Sequence, residues 1–252
     1  MELSKTKMNI YATLGAAKMR RKHGLFVAEG RKCVSDLMRS FSPVSLIIEK
    51  GSSCESDWSY HAADAAFDVC VASPEQMNKI SNLSTHTDVI GIFKLPERSA
   101  VADYELPHGL YMMLDGVQDP GNLGTIIRTC HWFGISKIFA SHDTVDVFNP
   151  KTLQATMGSA GRVEVIYCNL GDVIDANPSL PVYGTLLEGT DIFSTVLDNS
   201  GFIVMGNEGK GLSDAIRAKI SKPLFIPPAS ADHPESLNVS IAAAIVLSQF
   251  VK

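Results

Sequence analysis

With 252 residues, 45% of them hydrophobic, the chain is long enough to bury two cores, and its apolar runs are too short to span a bilayer. Together with a start that lacks an apolar signal region, this predicts a two-domain cytoplasmic protein with no membrane partner, and the five scattered cysteines (Cys33, Cys54, Cys70, Cys130 and Cys168) exclude a disulfide framework or a zinc site, because no CxxC pair and no histidine at ligand spacing accompany them. The net charge of −5 argues against nucleic acid as a single number, yet residues 1–32 hold eight basic residues against two acidic ones, so a local +6 precedes −11 over the remaining 220 residues.

That distribution is what a locally docked RNA partner needs, with Lys18, Arg20, Arg21, Lys22 and Arg31 as the candidate contacts. A solvated helix face that binds nothing is the alternative on charge alone. In chain order, the sequence predicts a basic helical stretch to about residue 22, a strand over 26–29 and a helix over 31–41 from the spacing of Val34, Leu37 and Met38. Strands are predicted over 44–49, 67–72 and 89–95, with a helix over 74–80 that Ser73 caps and Pro74 opens. The polar stretch 98–107 breaks both periodicities and is the predicted linker between domains 1–97 and 108–252.

Beyond it, continuous apolar runs at 110–114, 137–140, 163–167, 182–187, 202–205 and 224–226 alternate with helical segments, the pattern of a parallel sheet buried on both faces. The last segment, 237–251, is apolar nearly all round and is predicted to be a buried helix, in the core or at a subunit interface.

Three stretches carry chemistry. In the first, 115–129, Asp119 can cap a helix opened by Pro120, and Leu123, Ile126, Ile127 and Cys130 form its buried stripe. At 100° per residue, Arg128 falls roughly 150° from the centre of that stripe, on the open face, where an arginine is either a solvated side chain or a ligand contact. Asn122, at the helix entrance, reads as a turn residue or a site residue.

The second, Met205-Gly-Asn-Glu-Gly-Lys-Gly-Leu212, follows an apolar strand, and its three glycines let a ligand approach the backbone. It fails the P-loop pattern, with Gly211 where Ser or Thr is required, and no GxGxxG is present, which rules out the ATPase and dinucleotide templates. In the third, 225–240, Ser236 and Asn238 are good caps for the terminal helix. All three stretches fall at the carboxyl ends of predicted strands, where parallel sheets bind ligands.

Asp119-Pro-Gly-Asn122-Leu-Gly124 with Arg128-Thr129, Gly206-Asn-Glu-Gly209 with Gly211-Leu212, and Ser236-Leu-Asn-Val-Ser240 together resemble motifs one to three of the SpoU (TrmH-type) RNA 2'-O-ribose methyltransferases, over about residues 109–252. Phe26-Val-Ala-Glu-Gly30 resembles, more loosely, the start of the ribosomal-protein-like substrate-binding domain of many members. The resemblance implies an α/β chain: a ribosomal-protein-like α/β substrate-binding domain followed by a SPOUT α/β domain with a deep trefoil knot. It further implies a homodimer, S-adenosylmethionine as cofactor and RNA, by analogy ribosomal RNA, as substrate, with no metal.

Carried over by motif, Arg128, Asn122, Glu208, Ser236 and Asn238 are the expected catalytic set. Thr185, Leu186, Leu187, Gly206, Asn207, Gly211, Ile226, Ser236, Leu237 and Asn238 are expected to hold the cofactor. Pro228 after Pro227 departs from the unbranched apolar residue that members usually carry there. A non-catalytic RNA-binding or ribosome-assembly protein on the same fold is the competing expectation, and every chemically demanding motif position being filled speaks against it.

Overall fold

The structure is a computed structural model that describes residues 1–55, 66–97, 105–230 and 232–251. It divides into two compact units, Met1–Glu97 with Asp146–Arg162, and Arg98–Val145 with Val163–Lys252. Most of the expected linker, residues 98–104, lies outside the described residues.

The first unit runs α1 (Lys5–Tyr11), α2 (Ala17–His23), β1 (Leu25–Glu29), α3 (Arg31–Leu37), β2 (Pro43–Glu49), β3 (Asp68–Ala72), α4 (Pro74–Ile80) and β4 (Val89–Lys94). Its sheet has the order β1-β4-β2-β3, antiparallel except for the β2/β3 pair. The single basic helix of the sequence reading is two helices. The chain bends between them at residues 12–16, where a side chain at Gly15 would overlap that of Asn82. The α4 start is as predicted, with Ser73 accepting from the Gln76 amide and Gln76 accepting in return from the Ser73 amide, a reciprocal cap that satisfies two otherwise free donors.

Chain from the second half completes this unit. Asp146–Arg162 contains α6 (Pro150–Thr156), a helix the sequence did not predict. Phe148 packs its ring 4.7 Å from that of Phe26, which in turn stacks on Phe93 at 5.3 Å and meets Phe41 edge-on at 5.2 Å. Gly158 and Gly161 lie against Asp36 and Ser40 so closely that a side chain at either position would collide with them.

Arg20 corrects the sequence reading. Expected on an RNA-facing surface, it is 1% exposed, donates Nη1 to the carbonyls of Leu14 (3.0 Å) and Gly15 (2.7 Å), and ion-pairs through Nη2 with Asp146. A buried guanidinium with these obligations is structural, because pulling it out strands two carbonyls and a carboxylate. Arg31 is partly committed as well, to Asp88 and Ser53, while Lys18, Arg21 and Lys22 are exposed.

The second unit holds β5 (Leu110–Asp115), α5 (Pro120–Trp132), β6 (Lys137–Ala140), β7 (Glu164–Tyr167), α7 (Leu170–Asp175), β8 (Val182–Asp191), β9 (Gly201–Gly206), α8 (Asp214–Arg217), β10 (Lys222–Phe225) and α9 (Val239–Phe250). Its six strands are parallel throughout, in the order β10-β8-β9-β5-β6-β7. Met113, Phe139, Val182, Phe202 and Val204 pack on one face with Leu170 and Val173 of α7. The alternate residues Met112, Leu114, Ile138, Ile203 and Met205 are equally buried on the other, so both faces are covered as the continuous apolar runs require.

The terminal helix is shorter and less buried than predicted: it starts after Asn238, and Leu237 and Ile241 are 50% and 51% exposed. Strand β8 reaches past the predicted limit, to Asp191, and its pairing with β10 shifts register so that Gly184 and Thr190 stand opposite the consecutive residues Pro223 and Leu224. All five cysteines are buried and unbridged, and burial pushes the thiols of Cys33 and Cys130 up to about 12, which leaves them without nucleophilic character at neutral pH.

Replacing Arg20 by Ala is expected to lower the unfolding free energy by about 3 kcal/mol, the usual cost of breaking a buried ion pair from one side. Urea denaturation checks this; a loss under about 1 kcal/mol would return Arg20 to the surface set.

Candidate active site at the carboxyl edge of the parallel sheet

Strands β5 and β9 end side by side, with Asp115 opposite Gly206. From β5 the chain crosses by α5 to β6 on one side, while β9 and β8 lie on the other, so the crevice above this pair is the point where the strand order reverses. Each motif contributes one loop there. The β5 loop turns at Gly116, whose φ of 75° favours glycine, and enters α5 through Asp119, whose carboxylate accepts from the Asn122 amide at 2.8 Å.

The β9 loop is a tight reversal. Asn207 and Gly211 exchange both backbone hydrogen bonds (2.9 and 3.0 Å), and the Asn207 Oδ1 accepts from the amides of Gly209 and Lys210 at 3.0 Å each. Its Nδ2 donates to the Gly116 carbonyl at 2.7 Å. Only glycine fits at 206, since a Cβ would lie 2.5 Å from the Gly211 carbonyl carbon. The far end of the loop is tied down by the Ser213 amide, which donates to Asp115 Oδ2 at 2.7 Å.

The third loop ends in the cap of α9. Asn238 Oδ1 accepts from the Ser240 amide (2.9 Å) and hydroxyl (2.7 Å) and, more weakly, from the Ile241 amide (3.4 Å). With its oxygen turned to the helix, its Nδ2 points outward and donates to Asn122 Oδ1 at 2.9 Å. The Asn122 Nδ2 then donates to Glu208 Oε1 at 2.9 Å. Three residues at positions 122, 208 and 238 thus form one chain of hydrogen bonds running from a helix N-terminus to a carboxylate.

Partial burial raises the Glu208 pKa, but the Asn122 side chain and the backbone amides of Glu208, Gln118 and Asp119 outweigh it, so the carboxyl titrates below the ordinary glutamate range. The Gln118 and Asp119 contacts, at 3.4 Å, come from amides at the entrance of α5, where the helix favours negative charge. No residue-type signal marks such backbone donors, and the sequence reading missed them together with Asp115.

The structure therefore joins Asn122, Glu208 and Asn238 and sets Asn207 behind them with its side-chain oxygen and both backbone groups already engaged. Arg128 stands apart: it is exposed on α5, six residues beyond Asn122, with no hydrogen bond or ion pair among the described residues. Ser236 and Leu237 are exposed ahead of the helix, and Ser236 is not its cap. Thr185 and Leu186 lie at the β8 register shift with Leu187, whose side chain is outside the described residues, and Ile226 follows directly on β10. Among the described residues, no group of three or more His, Cys, Asp and Glu side chains is placed to hold a metal.

Residues 109–248 match the model of the SpoU rRNA methylase family. The chain belongs to that family. Among curated proteins it is 29% identical over 245 residues, 96% of this chain and 94% of the other, to the 23S rRNA (guanosine(2553)-2'-O)-methyltransferase RlmP of Bacillus subtilis. It is 29% identical over 75% of its length to the 23S rRNA (guanosine-2'-O-)-methyltransferase RlmB of Neisseria meningitidis, covering 78% of that protein.

Among solved structures, a TrmH-family protein of Porphyromonas gingivalis is similar with a TM-score of 0.84 and 31% identity, covering 99% of this chain and 98% of the other. An AdoMet-bound rRNA methyltransferase of Sinorhizobium meliloti is similar with a TM-score of 0.83 and 28% identity, over 99% and 97%.

Because the Glu208 pKa is depressed, its charge-dependent contribution to the network is complete above the unfolded glutamate value and is lost only as pH falls through the lower folded one. A carbon-13 titration of this carboxyl is expected to show a midpoint below that of a free glutamate. A midpoint at or above that of a free glutamate would mean that the Asn122 contact is not made in solution.

Proposed function

We propose that this chain transfers a methyl group from S-adenosylmethionine to a ribose 2'-hydroxyl of ribosomal RNA, in the cytoplasm. The observation that carries the reading is the Glu208–Asn122–Asn238 chain, which joins all three SpoU motifs at the switch point of a parallel sheet. RlmP and RlmB, named as 23S rRNA 2'-O-methyltransferases, and the AdoMet-bound relative support substrate class and cofactor.

The chain's own residues suit such a cofactor. Residues 185–188 have no partner in the β8 ladders, which supports the reading that their backbone groups, with those at Ile226 and 236–238, recognise an adenosine through main-chain bonds. When bound, the cofactor supplies an electrophilic methyl group that needs no acid to activate it. What remains for the protein is to bring the 2'-hydroxyl into line and to stabilise the charge that develops as its proton leaves.

Glu208, held as an anion, is a poor proton acceptor, and its part is to fix the Asn122 amide. Arg128 is permanently charged and so cannot be the base. With no protein partner among the described residues, it is the group that clamps the substrate phosphate bidentately and stabilises the developing alkoxide, while phosphate or water takes the proton.

The finer architecture follows the family. β10 joins the sheet beyond β8 and α9 then returns to pack on β9 and α5, so the chain after β9 crosses β8 twice, which supports the deep trefoil knot. Trp132, 85% exposed at the end of α5, and the exposed Ile241 of α9 supply an apolar face for a homodimer. The first unit acts as the ribosomal-protein-like RNA-docking domain, through Lys18, Arg21 and Lys22 at i, i+3 and i+4 on α2.

Asn122→Ala and Arg128→Ala are each expected to lower the methylation rate about a hundredfold, the scale of losing one oriented transition-state contact. Arg128→Lys is expected to recover little, because an ammonium lacks the planar fork. The readout is mapping of ribose methylation in RNA from cells carrying each variant; near-normal methylation by Arg128→Lys would sink the clamp. Replacing Lys18, Arg21 and Lys22 with Gln is expected to weaken RNA binding and reduce the slope of log K against log salt by about 2, without changing cofactor binding by calorimetry. An unchanged salt slope would move the RNA footprint elsewhere.

A further inference from the structure

Glu208 reaches Asn122 only if the loop that carries it is held in one shape, and the bonds that hold it lead to residues outside the three motifs. Asn207 shapes that loop with its Oδ1, which takes the amides of Gly209 and Lys210. Its amide can present oxygen to the loop only while its nitrogen has an acceptor on the other side, and that acceptor is the Gly116 carbonyl at 2.7 Å. Gly116 is itself anchored at its N–H, which donates to Ser141 Oγ at 2.8 Å.

Ser141 directly follows β6, in a turn closed by the Thr144 amide donating to the Ser141 carbonyl at 3.0 Å. Its hydroxyl has a single proton, which goes to Asp143 Oδ1 at 2.6 Å, leaving the oxygen free to accept from Gly116. A hydroxyl that donates to a carboxylate is a better acceptor than a free one, because the two bonds polarise each other. The space is also matched: a Cβ at Gly116 would stand 3.1 Å from Asp143 Oδ2 and 3.7 Å from Asn207 Cβ, so the glycine is flanked by both ends of the relay.

We propose that Ser141 and Asp143 are positioning residues for methyl transfer, which hold Gly116 and through it Asn207, so that Glu208 meets Asn122. The inference rests on the methyltransferase reading of this site. Two runs of hydrogen bonds then converge, one on the Glu208 carboxylate and the other on the loop that carries it. One starts at the free amides of α9 and arrives through Asn238 and Asn122; the other starts at the Asp143 carboxylate and arrives through Ser141, Gly116 and Asn207. Neither Ser141 nor Asp143 touches the reacting atoms. Their loss is therefore read in turnover and in loop protection, with substrate affinity largely kept.

The test uses the full chain as Ser141→Ala, Ser141→Thr and Asp143→Ala, the last a change at an exposed side chain that leaves the folded core alone. Two readouts are taken: steady-state methylation of ribosomal RNA with a radiolabelled methyl donor, and amide hydrogen exchange of the protein alone at Gly116, Gly209 and Lys210. Ser141→Ala and Asp143→Ala are expected to lower kcat about tenfold with KM for RNA within about twofold, as for one bond lost from a coupled network, and to speed exchange at all three amides together. Ser141→Thr, which keeps the hydroxyl, is expected to restore both.

Faster exchange at Gly116 alone, with protection at 209–210 and kcat unchanged, overturns the proposal. So does a loss of kcat that tracks a lowered thermal midpoint and is not rescued by threonine, because that is a folding defect. Should the unaltered protein fail to methylate RNA, the methyltransferase reading falls, while joint or separate exchange at the three amides still decides whether Ser141 positions the loop.

Discussion

An asparagine side chain is an arrow: one end only accepts and the other only donates. At this site the first arrow is set by the entrance of α9, whose free amides demand an oxygen and receive Asn238 Oδ1. Every later orientation follows from that choice, through Asn122 to a group that must be purely an acceptor, the ionised Glu208. The carboxylate lies where the amides at the entrance of α5 also favour negative charge, so two helix N-termini stabilise the two ends of one chain of bonds. Three loops separated by up to 116 positions in sequence are thereby locked with no metal or disulfide among the described residues.

The division of labour in the second unit follows from its parallel sheet. Strands buried on both faces have no side chains to spare for chemistry, so function is confined to the loops at their carboxyl ends. Those loops are built largely from glycine and short polar residues, and much of what they present is backbone. Gly116 and Gly206 are there because the chain must turn or pass close to itself. The register shift of β8 is the extreme case, because residues 185–188 have no partner in its ladders with β9 and β10.

Much of this was legible in the sequence, and the parts that were not share a cause. The strands of the second unit announce themselves as short apolar runs, the α4 and α5 starts carry a cap followed by proline, and the motif residues Asn122, Glu208 and Asn238 are of types that cap, donate and accept. Arg20 was misplaced because composition counts charges and cannot see that one guanidinium in a basic run meets a carboxylate 126 positions away. Likewise, α6 was missed because its apolar residues pack in a unit formed mainly by the first 97 residues, so that no local periodicity reveals their environment. Ser141 and Asp143 were invisible for the same reason. A serine and an aspartate after a strand look like an ordinary turn until Gly116 is placed beside them.

The first unit borrows Asp146–Arg162 from beyond the start of the parallel sheet, and with it Phe148 for its aromatic cluster and Asp146 for its buried arginine. A protein emerging from the ribosome is read from its amino terminus, and domains made of consecutive residues close as they appear. Here that order is denied: the leading unit must wait, with Phe26 and Arg20 uncovered, until the chain has been synthesised through Arg162. Its completion therefore comes only after β5 and β6 have left the ribosome.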